Sequence, residues 1–268
     1  MKFKLRLALI ATLALAVVST TLFVKRRFDD DMRRALAHAA QGSVLLSTPC
    51  GPIEYQEVGA GVPLLAVHGS GGGYDQGMAF ANGLAPRGIR VIAMSRFGYL
   101  RTPMPTDASA AAQADSATPM PPWVEATMMR VIGSDFLFWC ALRVARNQVV
   151  KVVLATPPEL LQAARAQERA RIDAMLTNIL PVSLRSEGLR SDTAAGKHLS
   201  PWPLASIRAP TLVISARDDR YGTYASAQYT AGQIPGAKFI GFDEGGHTWV
   251  GHNEEVMAAI VRLLLPQN

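Results

Sequence analysis

Two residues near the C-terminus have the types and spacing for proton-transfer chemistry. His247 follows the pair Gly245-Gly246, and Asp219 lies 28 residues before it. An imidazole on a mobile turn is suited to general-base work near neutral pH. A carboxylate behind it can orient the ring and stabilise the imidazolium, as in a hydrolytic triad. Asp218 is the neighbouring acid and, of the two, the one expected to face solvent. His252 is the rival histidine; its place at a helix start favours a capping or surface role.

The elements that must hold this pair follow from the apolar pattern. Residues 43–48 and 53–58 are short runs separated by Pro49-Cys50-Gly51-Pro52, which predicts a β-hairpin. Residues 63–67 are a short apolar run that suits a strand buried on both faces, residues 90–94 and 211–216 read as further buried strands, and residues 237–242 as a strand. Helical patterns follow them: one reaching Leu84, one over 224–231 and an amphipathic one over 254–265. Strand, helix, strand in this order implies an α/β fold with a mostly parallel sheet and right-handed crossovers. Polar turns then sit at the C-terminal ends of the strands, where sites form in open parallel sheets. Residues 121–203 break the alternation and predict a helical cap, notably over 159–180. A cap over the strand ends would exclude water and shape a pocket; plain core helices are the alternative.

His68-Gly69, Ser95-Arg96-Phe97-Gly98-Tyr99, Ser215-Ala216-Arg217-Asp218-Asp219 and Gly246-His247 together, in this order, resemble the α/β-hydrolase superfamily. The resemblance covers residues 43–102 and 205–268. It implies a Ser…Asp…His chain order, with Asp219 as the acid and His247 as the base. It also implies that the turn after His68-Gly69 supplies an oxyanion-hole N–H from Ser70 or Gly71, a donor already in place for the developing charge.

The superfamily's nucleophile stands on a Gly-x-Ser-x-Gly elbow, and no such motif occurs in this chain. Ser70 belongs to the oxyanion turn. Gly73-Tyr74-Asp75-Gln76-Gly77 resembles an aspartate-nucleophile elbow but occupies the wrong loop. Ser134 is the one serine at a fitting distance along the chain. If it is the nucleophile, residues 136–144 form the following helix and 149–155 the next strand. However, Ile132 and Phe136 stand where the elbow needs glycines, and Ser134 or Asp135 equally suits a helix N-cap. Residues 107–115 begin like the helix before the elbow and then stop. This suggests that a central strand, the elbow and its helix are missing; a divergent loop is the alternative.

Residues 7–24 are an uninterrupted run without charge, flanked by Lys2, Lys4 and Arg6 and by Lys25-Arg26-Arg27. Eighteen such residues meet the lower end of the ~17–25 that cross a bilayer. An uncleaved anchor is favoured over a signal peptide, because the run meets a basic stop and lacks a clean Ala-x-Ala site. Basic residues at both ends assign no orientation. The expected organisation is an anchor and helical stalk over 1–41, then an α/β domain over 42–268.

The six basic residues flanking the apolar run, with Asp29, Asp30 and Asp31, account for half of the net charge of +6, and the remaining +3 is ordinary for a domain of this size. Setting them aside leaves 21 basic and 18 acidic residues. No basic patch interleaves with aromatics, which argues against a nucleic-acid partner. Cys50 and Cys140 have no metal spacing and form no disulfide framework. The five histidines are scattered, so no metal or other cofactor is expected. Two functions remain open. One is a membrane-anchored serine hydrolase of ester or related acyl bonds, with a small-molecule substrate. The other is a non-catalytic or internally deleted relative that binds a ligand without turnover.

Overall fold

The computed structural model describes residues 2–49, 51–105, 130, 133–196 and 203–265. The interrupted stretch at 107–115 and the cap entry at 121–129 lie outside the described residues.

The chain begins with one continuous helix, α1 (Lys2–Ala39). At 1.5 Å per residue it is about 57 Å long. None of its most apolar window is buried in the fold. Within that window Thr12 and Thr21 donate their hydroxyls to the carbonyls of Ala8 and Val17, each at 2.9 Å, which satisfies them without solvent. The expected stalk is the same helix continued. Its end does not stand free: Met32 is buried among cap residues, with Phe28 and Ala35 packed beside it.

The hairpin forms as expected from β1 (Val44–Thr48) and β2 (Gly51–Val58), paired antiparallel from Val44↔Tyr55 to Thr48↔Gly51. Next come β3 (Val62–Val67), α2 (Tyr74–Ala81), a 3₁₀ turn (Asn82–Arg87) and β4 (Ile89–Met94). β3 and β4 are the expected parallel pair, and the sheet order is β1-β2-β4-β3. β4 is central, and its Ile89, Val91 and Ala93 are fully buried. Glu54 of β2 is also fully buried; it accepts from Ser43 Oγ at 2.7 Å, Ser95 Oγ at 3.2 Å and Arg101 Nε at 2.7 Å. It ties the hairpin to the loop after β4, a role the sequence pattern did not single out.

β3 departs from expectation. Leu65 and Val67 are 57% and 59% exposed, so the strand is not buried on both faces. Leu65 and Val67 share the uncovered face of the strand, and among the described residues β3 is also an outer strand of its sheet.

The cap is helical, with α3 (Asp135–Val144), α4 (Arg146–Val153), α5 (Leu160–Ala163), α6 (Ala166–Asn178) and α7 (Ser186–Gly196). The strand considered at 149–155 is therefore a correction: most of that stretch is the end of α4. Val149 and Val150 bury one side of the helix into the cap core with Phe138, Ile172 and Leu176, a helical rather than a strand periodicity. Arg185 fastens the cap to α2. Its guanidinium meets Asp75 Oδ2 at 2.6 Å and the Gly72 carbonyl at 2.6 Å, with both charged side chains buried. That bond also accounts for Asp75, which serves the cap joint.

After the cap come β5 (Leu212–Ala216), α8 (Tyr224–Gln233), β6 (Lys238–Phe242) and α9 (Asn253–Leu264). β5 and β6 are parallel, from Leu212↔Lys238 to Ala216↔Phe242, but they form a separate two-stranded sheet. The two sheets are joined through side chains. Val256 and Met257 of α9 bury with Leu84, Ile89 and Val91 on one side and Ala216 and Phe242 on the other. Arg87 and Glu254 add an ion pair at 2.6 Å across the same joint.

Candidate active site

Asp219 stands one turn beyond the end of β5, held by its N–H to the Ala216 carbonyl at 3.2 Å. Its side chain is buried and its carboxylate is filled by hydrogen bonds. Oδ1 accepts from the Tyr221 N–H at 2.8 Å. Oδ2 accepts from the Thr223 hydroxyl and lies 2.9 Å from His247 Nδ1. Burial acts to raise the carboxyl's pKa, but the bonds from His247 and Thr223, the His247 charge and the Tyr221 N–H outweigh it. The group is therefore held below the ordinary carboxylate range. Asp219 is thus an ionised anchor for one edge of the His247 ring.

His247 presents its other edge outward. Its side chain is 44% exposed, and Nε2 has no hydrogen-bond partner among the described residues. The Tyr221 ring meets the imidazole edge-on at 4.9 Å, and Tyr221 is itself held by its hydroxyl to the Val153 carbonyl at 2.9 Å. The cap contributes directly. The Ala155 carbonyl accepts from the N–H groups of Arg220 at 3.0 Å and His247 at 3.4 Å, so one cap residue ties both loops.

The turn before His247 explains its glycines. Gly246 has φ 63°, and a Cβ there would lie 2.7 Å from Thr156 Cα. Only glycine meets both constraints. Asp218 holds this turn in place: its Oδ1 accepts from Gly246 N–H at 2.8 Å and its Oδ2 from Gly245 N–H at 3.2 Å. Asp218 is the less buried of the two acids, as expected, but its carboxylate is engaged by this turn. The adjacent acids divide the work, Asp219 binding the ring and Asp218 its backbone. The signal was the Asp-Asp and Gly-Gly pairing, visible only once the turns are known to meet.

His252 keeps away from the pair. It occupies the N-cap position of α9, and its ring stacks on Phe242 at 4.0 Å.

The turn after β3 is well ordered by polar contacts. His68 is buried; its Nδ1 lies 2.7 Å from the Gly69 carbonyl and its Nε2 accepts the Arg96 N–H at 2.9 Å. Those partners place the proton on Nδ1 and suit a neutral ring. Burial pushes the His68 pKa down to about 4, against the Gly69 carbonyl and with help from the Arg96 and Arg185 charges. Gly71 does not present a vacant donor: its N–H bonds to the Tyr99 hydroxyl at 3.2 Å. Ser70 Oγ lies 3.0 Å from Asp192, which also receives the Tyr99 hydroxyl and the Arg96 guanidinium. Among the described residues no hydrogen bond joins this turn to His247.

Ser134 is the N-cap of α3. It has extended backbone, and its Oγ accepts from the Leu137 N–H at 3.3 Å. No hydrogen bond joins it to His247 among the described residues. Two clefts lie between α1 and the cap, one lined by Val24, Phe28 and Phe136, the other by His38, Trp139 and Asp173; neither is lined by His247. Among the described residues there is no group of three His, Cys, Asp or Glu side chains that could hold a metal ion.

No family model matches this sequence, and no curated protein matches it. Solved structures do. An α/β-hydrolase-fold protein from Nakamurella multipartita superposes with a TM-score of 0.64 at 22% identity, over 83% of this chain and 98% of that one. An esterase from Exiguobacterium antarcticum gives a TM-score of 0.54 at 14% identity, over 82% of this chain and 98% of that one. The enol-lactonase from Burkholderia xenovorans LB400 gives 0.53 at 14% identity, over 82% and 99%. With the strand order and the helical cap, these likenesses show that the chain has the α/β-hydrolase fold.

Proposed function

We propose that this chain is a membrane-tethered hydrolase-fold protein that binds a small ester or related acyl compound and has lost the serine-nucleophile step. The carrying observation is the Asp219–His247 bond at 2.9 Å, with Nε2 turned outward and no hydroxyl of the described residues bonded to it. His247 then acts as a hydrogen-bonding partner toward the ligand, and Asp219 keeps its ring oriented. The absent Gly-x-Ser-x-Gly motif supports loss of the nucleophile step, and among the described residues no strand pairs with the outer edge of β3. The esterase and the enol-lactonase among the similar structures support the ligand class. Residues 1–41 are the membrane anchor and the helix that leads into the domain; residues 42–268 are the binding domain, with the cap over about 121–203.

A second reading keeps catalysis, with Ser134 as an irregular nucleophile served by His247 and Asp219, and Ser70 or Gly71 as the oxyanion donor. It requires α3 to leave its present N-cap bond. A serine-directed fluorophosphonate, applied to the folded full-length chain, separates the two. The binding reading expects no covalent label, while a soluble acyl-ester analogue still shifts the His247 ring resonances in NMR. Label on Ser134, absent in Ser134→Ala, would overturn it in favour of the hydrolase.

A further inference from the structure

The exposed first turn of α3 carries two adjacent large apolar residues. Phe136 and Leu137 are 43% and 45% exposed. Their position relative to α1 is well defined. The Phe136 ring meets Phe28 edge-on with centroids 5.3 Å apart, and it lines one groove together with Val24 and Phe28. Val24 is the last residue of the charge-free run. Phe28 lies four residues beyond, about 6 Å further along the helix axis. Phe136 therefore stands within roughly one helical turn of the point where the apolar surface of α1 ends.

The surrounding chemistry is that of a membrane interface. Lys25, Arg26 and Arg27 occupy the same level of α1, where cationic side chains meet phosphate headgroups. Trp139 stacks on Phe136 with centroids 6.1 Å apart, and its Nε1 donates to Asp31 at 2.8 Å. An indole with an apolar body on one side and a bonded N–H on the other suits this boundary. The joint is stiff, because Arg143 also pairs with Asp31 and lies over the Trp139 ring. A bilayer crossed by α1 would thus meet α3 at a fixed height.

We propose that Phe136 and Leu137 insert into the headgroup–acyl boundary of the bilayer that α1 crosses, docking the cap on the membrane surface. The proposal rests on the membrane-anchor reading of α1. It makes the cap a part of the membrane contact and gives the domain one orientation on the lipid.

The test uses the full chain with Cys50 and Cys140 replaced by serine, reconstituted in phosphatidylcholine–phosphatidylglycerol vesicles. An environment-sensitive fluorophore is attached at Leu137→Cys, at Thr12→Cys in α1, or at Tyr229→Cys on exposed α8. Lipids brominated at acyl carbons 6,7 or 11,12 serve as quenchers of known depth. The expected result is quenching at position 137 by the shallow bromines at least twofold above that at 229, with position 12 quenched by the deep ones. Quenching at 12 with 137 matching 229 would leave the anchor standing and overturn the docking. No quenching at 12 would overturn the anchor reading itself, and the docking with it. A blue-shifted but unquenched label at 137 would mean a protein cover, such as a second copy, and also overturns the proposal. Phe136→Cys provides an equivalent label site if Leu137→Cys does not fold.

Discussion

Asp218 Oδ1 accepts the Gly246 backbone N–H at 2.8 Å, which ties the loop carrying Asp219 to the loop carrying His247. The ring bond between His247 and Asp219 is therefore the second link between these loops. A side-chain bond holds a rotatable imidazole, whereas a carboxylate on two successive N–H groups fixes the backbone that aims it.

Replacing Asp218 with alanine leaves those two N–H groups without their acceptor. The expected loss is about 1–3 kcal/mol of stability, read as a lower urea midpoint with an unchanged slope. The His247 ring resonances should broaden as its loop loosens. Asp218→Asn retains one acceptor oxygen and should cost less.

Acid should weaken the fold in a defined window. The folded pKa of His68 is depressed to about 4, so the ring is neutral in the native state where the unfolded chain's histidine takes a proton. Its contribution is full above the unfolded value near 6.5 and is lost as pH falls from there through about 4. The total is roughly 3 kcal/mol by linkage. Asp219, also depressed, contributes stability above its unfolded pKa that is lost at still lower pH, as the medium passes through its folded value. Urea unfolding at a series of pH values should show a rise in stability from pH 4 to 6.5, and His68→Gln should flatten it.

The cap depends on a buried charge. Arg185→Ala leaves the Asp75 carboxylate buried without its partner, at a cost of about 3–5 kcal/mol. Pairing it with Asp75→Leu should recover much of the loss, since the double variant buries no lone charge. Calorimetric melting of the single and double variants checks the non-additivity.

The outer side of β3 should be adhesive. Leu65 and Val67 are more than half exposed on a strand with no described neighbour along one edge. Replacing both by lysine should lower the sedimented oligomer fraction of the detergent-solubilised protein at high concentration, because charge on an open edge opposes strand addition. Monomer stability should change little, as neither side chain is in the core.

Much of the site could be found before folding was considered. Asp219 and His247 each follow an apolar strand and a short turn, and such signals are local. The same holds for the hairpin, the parallel β3–β4 pair, the C-terminal strands and the apolar half of α1. Residues 149–155 were ambiguous, because a short valine-rich run suits a strand or a buried helix face equally. The packing of Val149 and Val150 against Phe138 and Ile172 settled it.

By itself, then, the sequence determined which residues could do chemistry and that no elbow motif accompanies them, because residue type and spacing along the chain suffice for both. Tertiary structure decided the roles that depend on groups far apart in sequence. It brought Asp218 to the glycines 27 and 28 residues away, and Ala155 of the cap to His247. It docked the end of α1 on the cap, left one edge of β3 without a described partner, and gave the Ser134 hydroxyl to a helix start. Each of these is a contact whose partner is chosen by packing, and no local pattern names a partner before the chain has closed on itself.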